Sequence, residues 1–296
     1  MAAPAGYFDL HLHSAPAPFK RIGDSADIAR WCAQAGMAGI VIKSHFESTV
    51  SKVHHAMKSI EDEFPDFKIY SSITLNRGVG GINPGAVELA LQQGAKCVWL
   101  PTLDSKNHAD AYGHSGTYGF SDMTLPSGRQ RQTYAYTVVD EAGRILEEVQ
   151  NIIEMTKEYD IILATGHISV SEMRPIIDRC KALGHDKLVI THPELRTANL
   201  SLDEMVEFTR AGAHLEFCAV DLMPMFHCLT LDQLATYLEK LPLEKLVLSS
   251  DGGQPFNPKP HEALGIVARS LLSKGVPIQK IEAICKSNPA RLLGIA

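Results

Sequence analysis

The chain has 296 residues, a net charge of −6 and 45% hydrophobic residues, a composition typical of a soluble α/β protein with a large core. The acidic balance argues against nucleic acid or an anionic membrane as a partner, because both are bound through basic patches. No apolar run approaches the roughly 18–20 residues of a spanning helix. We therefore expect a small-molecule substrate and a homo-oligomer that binds neither nucleic acid nor membrane.

The N-terminal residues and the cysteines indicate the cellular compartment of the protein. Met1–Gly6 is short and resembles no signal peptide. The six cysteines are scattered without a CxxC pair, which is typical of reduced thiols. We therefore predict a cytoplasmic protein without disulfides.

Eight short apolar segments alternate with amphipathic stretches along the chain. The predicted strands are Tyr7–Leu12, Gly39–Ile42, Lys68–Leu75, Cys97–Pro101, Ile161–Thr165, Leu188–Thr191, His214–Phe217 and Leu246–Ser249. Helical periodicity fills most of the intervals between them, which indicates consecutive βαβ units. Eight units predict an α/β fold of the (β/α)8 TIM-barrel type, as a single domain over residues 1–296.

One connection breaks this rhythm. Residues 103–139, after the fourth strand, form a stretch rich in Gly, His, Tyr and Ser, and loops beyond roughly 12–15 residues are usually functional or disordered. We predict an active-site insertion here that includes a small hairpin over Tyr134–Leu146.

Polar side chains stand at the C-terminal ends of the predicted strands, where barrel enzymes place their catalytic groups. The candidate metal ligands are His11, His13, His45, His167, His192 and Asp251, with Lys43 as a further catalytic candidate. Each placement alone has a structural explanation, such as a hydrogen-bonded core histidine or a turn aspartate. Their joint placement on separate strand ends favours one or two bound metal ions.

This pattern resembles the amidohydrolase superfamily of metal-dependent barrel hydrolases, which includes phosphotriesterases, TatD-type nucleases and cyclic amidases. The motifs that carry the resemblance are HxH on the first strand, KSH, TGH, THP and SDGG on later strands, and the ending Asn288–Gly294. The resemblance implies that His11, His13 and Asp251 bind a buried ion. It also implies that His167 and His192 bind a second ion or complete a one-metal site.

The fourth strand departs from that family's pattern. Binuclear members carry a bridging carboxylated lysine or glutamate there, whereas this chain has Trp99-Leu100-Pro101-Thr102. The second strand offers Lys43 and His45 instead. His45 is the expected additional ligand, as in the similar PHP-type phosphoesterases, while Lys43 is either a carboxylated bridge or an ammonium that binds an anionic substrate.

Imidazole with carboxylate ligands favours Zn²⁺ and also suits Mn²⁺, Fe²⁺ or Ni²⁺. We expect hydrolysis of a small-molecule amide, cyclic amide, ester or lactone by a metal-activated water, with Asp251 as general base. Loop residues predicted to bind the substrate are Arg77, His114, Tyr118, Arg131 and His227. A metal-dependent decarboxylase or other lyase, a phosphoesterase and, least favoured, a non-catalytic binding protein remain as alternatives.

Overall fold

The parallel strands form the frame that positions the candidate site. A computed structural model describes residues 4–118, 127–128 and 132–295. The strands are β1 (Phe8–His13), β2 (Gly39–Lys43), β3 (Lys68–Tyr70), β4 (Ser72–Thr74), β5 (Cys97–Trp99), β6 (Ile162–Ala164), β7 (Leu188–Thr191), β8 (His214–Cys218) and β9 (Leu246–Ser249). The single strand predicted over Lys68–Leu75 is therefore divided in two at Ser71.

The strands pair in chain order and in parallel. β1, β2 and β3 form one ladder, and β4 to β9 form another. The last strand lies beside the first, because the Asp251 amide donates to the His11 carbonyl and the His13 amide donates to the Gly252 carbonyl, both at 2.8 Å. The predicted (β/α)8 barrel fold is confirmed. Its insertion follows β5, which corresponds to the fourth predicted strand.

Helices follow the strands and cover the outside of the sheet. They are α1 (Ser25–Gln34), α2 (Val50–Ile60), α3 (Pro84–Gln92), α4 (Lys106–Tyr112), α5 (Glu147–Glu158), α6 (Val170–Leu183), α7 (Leu202–Arg210), α8 (Leu231–Lys240), α9 (Pro260–Ser273), α10 (Ile278–Glu282) and α11 (Asn288–Leu292). Capping boxes begin α1, α6, α7 and α8, at Asp24, Ser169, Ser201 and Thr230. Each satisfies backbone amides that a helix start leaves without partners. Among the described residues, no helix is long and apolar enough to cross a membrane.

Two apolar clusters lie on opposite sides of the strands. The larger packs the strands against the helices, and the smaller includes Phe8, Leu10, Val41, Trp99 and Val247. Leu10 belongs to the smaller cluster but Leu12 to the larger one, and the pairing of β1 with β2 is irregular between Asp9 and Leu12. Such an irregularity re-aims side chains. It turns His11 toward Trp99, whose ring centroid lies 4.6 Å away.

The described part of the insertion is anchored to the barrel. Residues 106–112 form α4, and the predicted hairpin is reduced to one antiparallel bridge between Val139 and Ile145. Arg77 pairs with Asp104 at 3.0 Å and donates to the Gln132 carbonyl at 3.2 Å. These contacts hold the two ends of the insertion at the C-terminal side of the strands.

Candidate metal centre

The first and last strands bring three candidate ligands together. Nε2 of His13 lies 2.9 Å from Oδ1 of Asp251, and Nε2 of His11 lies 3.2 Å from the same oxygen. All three side chains are buried. Oδ1 nevertheless has no hydrogen-bond partner among the described residues, so neither close contact has the alignment of a hydrogen bond. Lone-pair atoms that converge in this way, without a hydrogen bond to one another, form a group able to hold a metal ion.

His192 approaches the same carboxylate from β7. Its Nε2 lies 3.5 Å from Oδ2 of Asp251, and its Nδ1 lies 2.8 Å from Oδ2 of Asp221. Both His192 and Asp251 have left-handed backbones, with φ of 49° and 45°. Residues other than glycine rarely adopt this conformation, which costs about 1–3 kcal/mol and persists where surrounding structure enforces it. The fold thus holds these two side chains at the site against a local preference.

A buried carboxylate fixes the orientation of the His11 imidazole, a candidate ligand. Nδ1 of His11 donates to Glu216 Oε2 at 3.2 Å, and Glu216 in turn accepts a hydrogen bond from Ser249 at 2.7 Å. With its proton on Nδ1, His11 presents the Nε2 lone pair to the site. Burial raises the pKa of Glu216 to about 7, against the opposing effects of Ser249, His192 and Lys43.

The charge state of His192 differs from that of His11 and His13. Burial favours its neutral form, but the carboxylates of Asp221 and Asp251 outweigh this effect and raise its pKa to about 9. Burial lowers the pKa of His11 and His13 well below its usual value. Metal binding through His192 would therefore release a proton, because only the neutral ring is a ligand.

His45 extends the cluster toward β5. Its ring stacks on His13 with centroids 4.7 Å apart, and its Nδ1 lies 2.9 Å from the Thr102 hydroxyl. Asn76 donates to that hydroxyl at 2.6 Å and to the His45 carbonyl at 2.9 Å. Thr102, at the strand end without the expected bridging residue, therefore orients a ligand candidate from the second strand.

His167 is oriented by a second histidine, His108 of α4. Nε2 of His108 donates to the Thr117 carbonyl at 2.8 Å, and its Nδ1 lies 2.9 Å from Nδ1 of His167. Burial lowers the pKa of His108 to about 4, so the ring is neutral and its Nδ1 can only accept. The proton between the rings then belongs to His167, whose Nε2 lone pair remains available.

Lys43 is fully buried beside His11. Its Nζ lies 2.9 Å from His11 Nε2 and 4.1 Å from the centroid of the Trp99 ring. The residue is absent from the described lining of the cavity above the site. Lys43 therefore shares an atom with a metal-ligand candidate, and this placement gives no support to contact with an anionic substrate.

A cavity of about 280 Å³ opens onto the cluster. His13, His45 and Asp251 stand at its base, and apolar side chains form much of its wall. The described wall residues are Pro18, Phe19, Lys20, Arg21, Tyr118, Met225, Phe226, Gln254, Pro255 and Phe256. A small molecule in this cavity would lie directly against the candidate ligands.

The structure gathers some of the predicted substrate residues and separates others. Tyr118 lines the cavity. Arg77 instead anchors the insertion, His114 is exposed, and His227 is exposed and lines a separate cavity with Met223 and Leu229. Arg131 lies outside the described residues. The interval from β1 to α1, which sequence reasoning passed over, supplies Arg21 to the wall.

The sequence did not predict the supporting roles of several residues. Glu216 stands within the apolar strand segment His214–Cys218, and a carboxylate inside a buried strand is a signal that it needs a partner. Asp221, in the turn after β8, and His108, in the insertion, carry no comparable local signal. Their partners lie 29 and 59 positions away, so only the fold shows the contacts.

A family model matches residues 6–216, and its description is a family of unknown function, DUF6282. The chain belongs to this family. No curated protein matches the sequence. The family assignment leaves open what the cluster does.

Solved structures share the fold. An amidohydrolase from Pseudomonas aeruginosa aligns with a TM-score of 0.64 at 13% identity, over 98% of this chain and 96% of its own. A putative 2-pyrone-4,6-dicarboxylic acid hydrolase from Pseudomonas putida aligns at 0.56 and 14% identity, over 98% of each chain. A β-aspartyl dipeptidase from Fervidobacterium islandicum aligns at 0.57 and 18% identity, over 97% of this chain and 72% of its own. The resemblance to the amidohydrolase superfamily is thereby confirmed at the level of the fold.

Proposed function

We propose that the chain is a metal-dependent hydrolase that cleaves a small-molecule amide, cyclic amide, ester or lactone, with Asp251 as general base. The observation that carries this proposal is the buried Oδ1 of Asp251, which accepts no hydrogen bond from any residue that the structure describes. It lies 2.9 and 3.2 Å from two histidine nitrogens at the base of a cavity. Fold relatives named as a dipeptidase and as a dicarboxylic acid hydrolase support hydrolysis as the reaction class.

The donor set fits a divalent ion, with Zn²⁺ as the first choice and Mn²⁺, Fe²⁺ or Ni²⁺ as alternatives. His11, His13 and Asp251 would hold one ion, and His45, His167 and His192, which face the same site, would bind a second ion or complete a one-metal site. His11, His192 and Cys218 form another possible group, but Nδ1 of His11 is already bonded to Glu216, and burial raises the pKa of the Cys218 thiol. The bound ion would supply an activated water and polarise the scissile carbonyl.

The chain's own residues account for proton transfer and positioning. Asp251 accepts the proton of the attacking water at a carboxylate oxygen and then delivers it to the leaving nitrogen or oxygen. The backbone of Asp251 is fixed by its hydrogen bond to His11, so the carboxylate stays near the imidazoles. The apolar wall excludes solvent from the reacting bond.

Asp251→Asn tests the base directly. The amide keeps the size of the side chain but cannot accept the proton, so we expect turnover to fall about 100- to 10,000-fold. Assays would use a panel of amides, lactones and phosphoesters on zinc-loaded protein, with metal content measured for each variant. Asp160→Asn is the matched control, because Asp160 also has a left-handed backbone, with φ of 51°, but pairs with Lys187 and does not line the cavity. Near-normal turnover in Asp251→Asn would refute the assignment.

A metal-dependent decarboxylase is the second candidate. Thr102 stands where a bridging lysine or glutamate is expected, which favours a single ion over a bridged pair. About two ions per chain would favour hydrolysis, and about one would favour the lyase. Homo-oligomerisation and a cytoplasmic location stay predictions from the sequence.

A further inference from the structure

Arg21, in the wall of the cavity, has no ion-pair partner among the described residues. It lies in the segment between β1 and α1, and its neighbour Lys20 is exposed. Its Nε atom is buried without a hydrogen bond, and no described carboxylate lies within ion-pair distance of its side chain. The guanidinium carbon of Arg21 lies 5.9 Å from the centroid of the Phe19 ring.

A guanidinium in this environment is stabilised when an anion binds to it. Removing a charge from water is costly unless it is paired and hydrogen-bonded. Burial lowers the pKa of Arg21, and the nearby Asp251 and Tyr118 oppose this effect. The Asp251 carboxylate, however, already faces His11, His13 and His192. The donors of Arg21 therefore remain available to a molecule that enters the cavity.

The remaining wall indicates what the rest of that molecule is like. Phe226 packs against Tyr118 with ring centroids 5.3 Å apart, and Phe256 is 67% exposed at the rim. An exposed aromatic side chain beside an apolar cavity supplies surface that a ligand can cover. The cavity volume of about 280 Å³ suits a compound with one ring rather than a polymer.

We propose that Arg21 binds a carboxylate of the substrate, whose apolar, ring-sized body packs against Phe19, Phe226 and Phe256. This inference rests on the proposed function for the identity of the reacting bond, but not for the binding itself. The planar guanidinium fork matches a carboxylate in bidentate fashion, which also fixes the orientation of the bound molecule. Arg21 is then the residue that selects anionic over neutral substrates.

A binding measurement tests this selection without requiring turnover. Isothermal titration calorimetry would compare phenylacetate with phenylacetamide, a neutral analogue of the same shape, on zinc-loaded protein. We expect wild-type protein to bind phenylacetate about 10- to 100-fold more tightly than phenylacetamide, because only the carboxylate forms charge-assisted hydrogen bonds with Arg21. Arg21→Met should reduce that ratio to within about threefold of unity, with unchanged zinc content and unchanged phenylacetamide affinity.

Two further variants separate this role from other effects. Arg21→Lys retains the charge without the fork, so it should give an intermediate ratio and serves as the test if Arg21→Met does not fold. Arg196→Met makes the same change at an exposed arginine that stacks on Tyr112 and does not line the cavity, so it should keep the ratio. An equal loss in Arg196→Met, or an unchanged ratio in Arg21→Met, would overturn the proposal. If Arg21 acted only by positioning Asp251, its replacement would slow charged and neutral substrates alike and leave the affinity ratio intact. A protein that shows the affinity ratio but hydrolyses nothing would refute the proposed function alone.

Discussion

The imidazole pair of His108 and His167 allows a sharp test of metal binding, because the perturbed residue contacts no metal itself. His108→Phe keeps a ring of similar size but removes the acceptor 2.9 Å from His167 Nδ1. His167 would then bury an unpaired N–H, at a cost of about 1–3 kcal/mol. The ring would also lose the bond that aims its Nε2 at the site, and loss of such a partner typically weakens metal binding about 10- to 100-fold.

His185 provides the matched control for this change. It is a buried histidine whose pKa burial also lowers to about 4, and it bonds Thr156 at 3.2 Å, away from the cluster. His185→Phe should therefore lower the free energy of unfolding without changing metal affinity. Competition of each variant with a zinc chelator, alongside urea unfolding, measures both quantities. Equal zinc affinity in His108→Phe and wild type would refute the orienting role, and so would an equal loss in His185→Phe.

Two further predictions concern the frame around the site. Gly253 has a φ of 122°, and a Cβ there would lie 2.0 Å from the His13 carbonyl oxygen, whereas Gly94, with a φ of 91°, has open space. In both alanine variants, backbone strain should lower the free energy of unfolding by about 1–2 kcal/mol. Only Gly253→Ala should also bind less zinc. Thermal unfolding and metal analysis measure the two effects, and equal zinc content in the two variants would contradict the prediction. Burial lowers the pKa of His185 to about 4 and that of His214 to about 3, from 6.5, so below pH 6.5 the unfolded chain binds protons that the folded chain does not. The free energy of unfolding should therefore fall on acidification by about 1.4 kcal/mol per pH unit for each histidine, from pH 6.5 down to the pKa of that histidine in the folded protein. In the double variant His185→Gln with His214→Gln, the urea midpoint should depend less on pH than in the wild type.

The sequence was sufficient to predict the barrel and the ends of its strands. Apolar segments that alternate with helical stretches predict parallel strands. This periodicity depends only on residues that are neighbours in the sequence, so it can be read without the structure. The polar residues just beyond those segments, among them His11, His192 and Asp251, could be named for the same reason. Their convergence follows from the parallel arrangement, which brings all C-terminal strand ends to one side.

The tertiary structure alone decided which side chains support the ligands and which line the cavity. The irregular pairing between Asp9 and Leu12 turns His11 toward Trp99, and His108 reaches His167 across 59 positions of sequence. Arg21 lines the cavity, while Arg77, one of the two arginines predicted to bind the substrate, anchors the insertion. Loop direction and long-range hydrogen bonds depend on packing between distant segments, and no local pattern in the sequence encodes them.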